Sequence, residues 1–135
     1  MTGILVDTYT WIEIFRDSAW GRQALACLEY NEQKTPLAVS VLTLYELQYR
    51  LGDLYGEEKT RSLLATILSH AEVIPVDAQI AVTAGSIKSR QKKKGTAMGA
   101  VDCMILATAR SRGLKILSGD KHFEGLKESL DISDS

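Results

Sequence analysis

Gly3-Ile4-Leu5-Val6-Asp7-Thr8 is the stretch of this 135-residue chain whose reading decides the fold. Ile4, Leu5 and Val6 form a continuous apolar run without polar alternation, the pattern of a strand buried on both faces. The run stops on a carboxylate, and residues 8–15 continue with helical spacing. A strand that ends on a polar residue and passes directly into a helix sets Asp7 at the carboxyl edge of a sheet, where open α/β folds bind their ligands.

Outward from that stretch the same alternation repeats. Helical patterns cover 20–30, then 41 to about 51 with Ser40 as N-cap and Gly52 just past the end, then 57–69, 78–94 and 99–112. Short apolar strands are expected at 36–39, 73–76 and 114–117, with a weak fifth at 130–132. Strands separated by helices of this length require right-handed crossovers. The expected fold is therefore α/β, a three-layer α/β/α arrangement around a mostly parallel sheet of four to five strands, as one domain over 1–135.

Composition narrows the function classes. With 45% hydrophobic and 24% charged residues the chain has the make-up of a soluble globular domain. Its apolar runs are too short for the roughly 20 residues that span a bilayer, and no charged segment precedes an apolar one as in a secretory signal. The expected location is the cytoplasm, with no membrane partner. Cys27 and Cys103 lack metal-like spacing and read as free thiols. A net charge of -1 gives no global attraction for polyanions, so a nucleic-acid partner would need a local basic patch.

Four acids stand in apolar company. Asp7 and Asp120 end strands, Glu46 lies in Leu44-Tyr45-Glu46-Leu47, and Asp102 lies in Val101-Asp102-Cys103-Met104-Ile105-Leu106. On a helix Asp102 shares a face with Ile105 and Leu106, which turns it towards the sheet. Separate explanations exist: helix capping for Asp7 and Asp120, an ion pair with Arg50 one turn along for Glu46. A joint explanation is a hard divalent cation, Mg²⁺ or Mn²⁺, which prefers oxygen ligands and offsets the cost of gathering buried carboxylates. His70 and His122 lack the paired spacing of zinc ligands and are expected to stay outside the ligand set.

Asp7-Thr8, Tyr45-Glu46-Leu47, Asp102 in its helix, and Ser118-Gly119-Asp120-Lys121-His122-Phe123, taken in order along nearly the whole chain, resemble the PIN-domain ribonucleases, and among them the VapC-type toxins of toxin–antitoxin systems. The resemblance implies that Asp7, Glu46, Asp102 and Asp120 bind Mg²⁺ or Mn²⁺ as ligands or water-holders, with the hydroxyls of Thr8 and Ser118 supporting them. It further implies an endoribonuclease that leaves a 5′-phosphate and a 3′-hydroxyl, an antitoxin that inserts a basic side chain among the acids, and a homodimer. Where some members carry another acid two residues from the last one, this chain has Ser118 and His122.

RNA would need cations beside the acids. Lys88, Arg90 and Lys92-Lys93-Lys94 cluster just before the Asp102 helix, and Arg110, Arg112, Lys115 and Lys121 follow; Lys92, Lys93, Lys94 and Lys121 are the RNA-binding candidates. The same lysine run also suits a helix C-terminus. Three other readings compete. A receiver domain wants paired acids at the first strand, where Val6 precedes Asp7, and a phosphoacceptor at Asp77, which reads as a helix cap. A haloacid-dehalogenase phosphatase wants an Asp where Tyr9 stands. A PIN-like module without catalysis is opposed by the four intact acids.

Overall fold

Residues 3–31, 34–96, 98–130 and 132 are described in the computed structural model. Four strands, β1 (Ile4–Val6), β2 (Leu37–Ser40), β3 (Glu72–Ile74) and β4 (Lys115–Leu117), form one sheet in the order β3-β2-β1-β4, and every pair is parallel. Between them run α1 (Thr8–Phe15), α2 (Ala19–Asn31), α3 (Val41–Tyr55), α4 (Glu57–Leu68), α5 (Ala78–Lys93) and α6 (Ala100–Arg112). Successive connections carry the chain from β1 outward to β2 and β3, and the α5–α6 crossover then returns it to the other side of β1. The sheet order therefore reverses at β1, and the carboxyl ends of β1 and β4 flank the crevice this creates.

The unalternated apolar run of β1 now has its physical reason, because successive side chains serve opposite layers. Leu5 points into a core with Ala38, Ile74 and Ile116, closed by Ile80, Ala84 and Ile87 of α5 and Ile105, Leu106 and Ala109 of α6. Ile4 and Val6 point the other way, with Leu37, Val39 and Leu117, against Trp11, Ile12, Ala24, Leu28, Leu47, Leu51 and Ile67 from the first four helices. The result is the expected three-layer α/β/α sandwich. Cys27 and Cys103 are buried free thiols, and burial raises the pKa of Cys103. Among the described residues no helix is long and apolar enough to cross a membrane.

Several boundaries differ from expectation. Helix α3 does not stop at Gly52. Thr43, Leu47 and Leu51 are buried at four-residue intervals, and the helix carries on to Tyr55 before Gly56, at φ 86°, ends it. Burial of those apolar side chains offsets the roughly 1 kcal/mol that an internal glycine costs. Strand β2 includes Ser40, which still caps α3 by accepting from Leu42 N–H at 3.1 Å. Strand β3 begins one residue earlier than expected, at Glu72, and ends two residues earlier, at Ile74. The proposed fifth strand is reduced to one parallel bridge between Ile116 and Ser129, while Asp131 lies outside the described residues. Asp77 caps α5, accepting from Ile80 N–H at 2.8 Å.

One close approach fixes how α1 and α2 pack. A Cβ on buried Gly21 would stand 2.1 Å from the backbone oxygen of Glu13. No side-chain rotation relieves an overlap with backbone, so Gly21→Ala is expected to destabilise the fold by about 2 kcal/mol or more. Thermal denaturation should show a fall in Tm of roughly 6–10 °C.

Candidate active site

Asp7 follows β1 and N-caps α1. The register pairs Val6 with Leu117, which sets Asp7 beside Ser118 at the ends of adjacent strands. Ser118 Oγ lies 2.5 Å from Asp7 Oδ2. Asp7 Oδ1 accepts from Thr10 N–H at 2.9 Å and lies 2.7 Å from Thr10 Oγ1, which is also 2.8 Å from the carbonyl of Leu117. Both carboxylate oxygens are thus held from behind by hydroxyls, in a residue only 5% exposed.

Glu46 reaches the same edge from α3. Thr8 Oγ1 lies 2.6 Å from Glu46 Oε1 and 3.3 Å from Thr43 Oγ1. The hydroxyl of Thr8 therefore fixes Glu46, where the sequence suggested exposed Arg50 as its partner. Asp102 stands in the first turn of α6, where a helix dipole favours negative charge. Asp120 caps a 3₁₀ turn, Lys121–Phe123, accepting from His122 N–H at 2.9 Å, while Ser118 Oγ accepts from Asp120 N–H at 2.9 Å.

His122 belongs to this cluster, contrary to the sequence expectation. Its Nδ1 is 3.1 Å from Asp102 Oδ2 and 3.1 Å from Asp120 Oδ1, and the three atoms lie within 4.8 Å of one another. Local spacing gave no sign of this, because the partner acid is twenty positions away on another element. A usable signal was the alternation Asp120-Lys121-His122 in the turn that follows β4. Thr10, unremarked in the sequence, is the other omission.

The electrostatics join all four acids. Burial is the main cause raising the Asp7 carboxyl from 3.8 to about 6; the Asp120 charge adds to this, while hydrogen bonds from Ser118 and Thr10 oppose it. Asp102 is raised by burial first and then by Asp120, with a further contribution from Glu46, against the pull of His122. Such a set can hold a cation through carboxylate oxygens, or hold and move protons near neutral pH.

The cations are divided. Lys88 Nζ donates to the carbonyl of Met98 at 2.7 Å, Lys115 Nζ to that of Lys127 at 2.5 Å, and Arg110 Nε stands 3.5 Å from Glu128. Glu128, which lies in a polar run of sequence, is buried. Lys92, Lys93, Lys94 and Lys121 are exposed, and the Lys88–Met98 contact ties the last third of α5 to the segment that leads into α6.

The folded pKa of Asp7 exceeds its ordinary value, so its contribution to stability is fully present below about pH 4 and is lost as pH rises through 6. In chelator, Asp7→Asn is therefore expected to raise stability at pH 7.5 by about 1–3 kcal/mol and to give no gain at pH 4. Denaturant titrations at the two pH values check this.

Comparison with known proteins agrees with this geometry. Residues 4–128 match the family model of the PIN domain. The tRNA(fMet)-specific endonuclease VapC of Salmonella typhimurium strain LT2 is 31% identical over 96 residues, covering 70% of this chain and 73% of that protein. Ribonuclease VapC2 of Haemophilus influenzae strain Rd is 29% identical over the same shares of the two chains. The crystal structure of DNA-bound VapBC from Salmonella typhimurium superposes with a TM-score of 0.78 at 27% identity, covering 96% of each chain. On these matches, the chain belongs to the PIN-domain family, as a protein of the VapC type.

Proposed function

We propose that this protein is a Mg²⁺- or Mn²⁺-dependent endoribonuclease and the toxin of a type II toxin–antitoxin pair. The observation that carries the reading is the convergence of Asp7, Glu46, Asp102 and Asp120 at one sheet edge, where burial and mutual repulsion raise the pKa of Asp7 and Asp102. Carboxylates gathered at that cost suit a hard cation, and the oxygen-rich donor set fits one. Relatives of the same type carry the names ribonuclease and tRNA(fMet)-specific endonuclease, which supports RNA as the substrate.

Asp102 and Asp120 would hold the ion, with Asp7 and Glu46 fixing it directly or through its waters. When bound, the ion lowers the pKa of a coordinated water and offsets charge on the phosphate. Thr8 keeps Glu46 oriented through Oε1 and leaves the second carboxylate oxygen to accept from the attacking water. Ser118 and Thr10 hold Asp7 in one rotamer, so its charge stays aimed at the crevice. Exposed Lys92, Lys93, Lys94 and Lys121 would draw the RNA backbone past the acids.

Partners follow from the same reading. The matched structure of a toxin–antitoxin complex from Klebsiella pneumoniae, with a TM-score of 0.74 at 25% identity, supports an antitoxin as partner; such a partner would cover the acids with a basic side chain. Val41, Tyr45 and Tyr49 recur at four-residue spacing on α3 and are all exposed, Tyr45 by 68%. Such a stripe suits a homodimer face.

Two experiments test this function. End-labelled RNA should be cleaved with Mg²⁺ or Mn²⁺, and cleavage should fall at least about a hundredfold with chelator or with Asp102→Asn. Unchanged cleavage in either case would refute the metal mechanism. Replacing Lys92, Lys93 and Lys94 by serine should weaken RNA binding and lower the slope of log affinity against log salt by about 2, at roughly 0.7 per phosphate contact. An unaltered slope would assign the lysines to the helix end alone.

A further inference from the structure

We propose that His122 is itself a metal ligand, and that its imidazole makes the site prefer Mn²⁺ over Mg²⁺. This rests on the metal-site reading above and adds the donor that selects the ion.

The first argument is placement. His122 Nδ1 is equidistant, at 3.1 Å, from an oxygen of Asp102 and an oxygen of Asp120. Neighbouring ligands of an octahedral ion with bonds of about 2.1 Å stand about 3 Å apart, so this nitrogen sits at the separation a shared ion would set. Nδ1 carries at most one proton and hydrogen-bonds Asp102 Oδ2, while Asp120 Oδ1 accepts from the His122 backbone N–H at 2.9 Å, so His122 meets both carboxylates even without an ion. A cation held by the three atoms would take the place of the ring's bond to Asp102 and leave the backbone bond intact.

The second argument is delivery. The 3₁₀ turn that carries His122 is fixed at three points: Asp120 accepts from His122 N–H, Ser118 accepts from Asp120 N–H, and Phe123 is buried with 1% exposure. The ring therefore reaches the acids from a constrained backbone rather than on a mobile loop. Its side chain remains 36% exposed, which leaves access for an ion and its waters.

The third argument is chemistry. Mg²⁺ strongly favours oxygen ligands, whereas imidazole nitrogen suits transition ions; Mn²⁺ is the transition ion that carboxylates also accept readily. Adding one nitrogen to an otherwise all-oxygen set should move preference towards Mn²⁺ without abolishing Mg²⁺ binding.

The test is calorimetric titration of the whole chain with Mn²⁺ and with Mg²⁺, joined to electron spin-echo spectroscopy of the Mn²⁺ form. Wild type should show nitrogen hyperfine coupling from a directly bound imidazole, and His122→Ala should lose it. His122→Ala should weaken Mn²⁺ about tenfold or more while Mg²⁺ changes by less than about threefold. His122→Asp, which supplies oxygen in place of nitrogen, should keep Mg²⁺ binding and remove the preference. A wild type that binds Mn²⁺ without nitrogen coupling, or equal losses of both ions in His122→Ala, would overturn the role of His122 alone. Failure of wild type to bind either ion, or binding indifferent to Asp102→Asn, would overturn the metal site itself.

Discussion

A carboxylate buried at the end of the central strand is the constraint on which the rest of this structure depends. Asp7 sits where β1 passes into α1, and leaving it ionised in low dielectric is costly unless its oxygens are met. The chain meets them with hydroxyls: Thr10 from the first turn of α1 and Ser118 from the end of β4. Those bonds tie β1, α1 and β4 together at one point. They lower the cost without removing it, since the pKa of Asp7 still stands at about 6.

The remaining acids gather there for topological reasons. A parallel sheet brings the carboxyl ends of all its strands to one edge, and the reversal of order at β1 opens a crevice between the segments that leave β1 and β4. Asp7 arrives directly after β1, and Asp120 on the turn three residues beyond the end of β4; Glu46 and Asp102 arrive on helices whose apolar faces are fixed by the two cores. Packing thus decides where the charges go. Asp102 could be moved only by repacking a helix that also carries Cys103, Ile105, Leu106 and Ala109 into the core.

This division explains what the sequence disclosed and what it concealed. Strands β1, β2 and β4 were legible because the residues each buries between the two layers form an unbroken apolar run, with Ser40 and exposed Lys115 standing at strand ends. Acids interrupting apolar runs were legible because local sequence offers no cheap reason for them. By contrast, the end of α3 turned on tertiary burial of Leu47 and Leu51, which a local rule about Gly52 cannot see. Glu128 stands in a polar run of sequence, yet its segment lies along the edge of β4, where the carbonyl of Glu128 accepts from Ile116 N–H at 2.7 Å. His122 was set apart from the acids because its contact with Asp102 is supplied by the fold and not by neighbours in sequence. Lys88, Arg110 and Lys115 counted as free cations in the sequence and turned out to serve the scaffold.

The contrast between Asp7 and the Asp102–Asp120–His122 group gives the site an internal gradient. Asp7 is buried and fully hydrogen-bonded, so its position barely depends on what enters the crevice. Asp102, Asp120 and His122 are half-buried, and they share contacts with one another that a cation or a basic side chain could replace. The fold thus places a fixed charge at the back and an exchangeable group at the mouth. A pocket built this way would keep its field when empty, and on the proposed function it would exchange one positively charged occupant for another without disturbing the strands behind it.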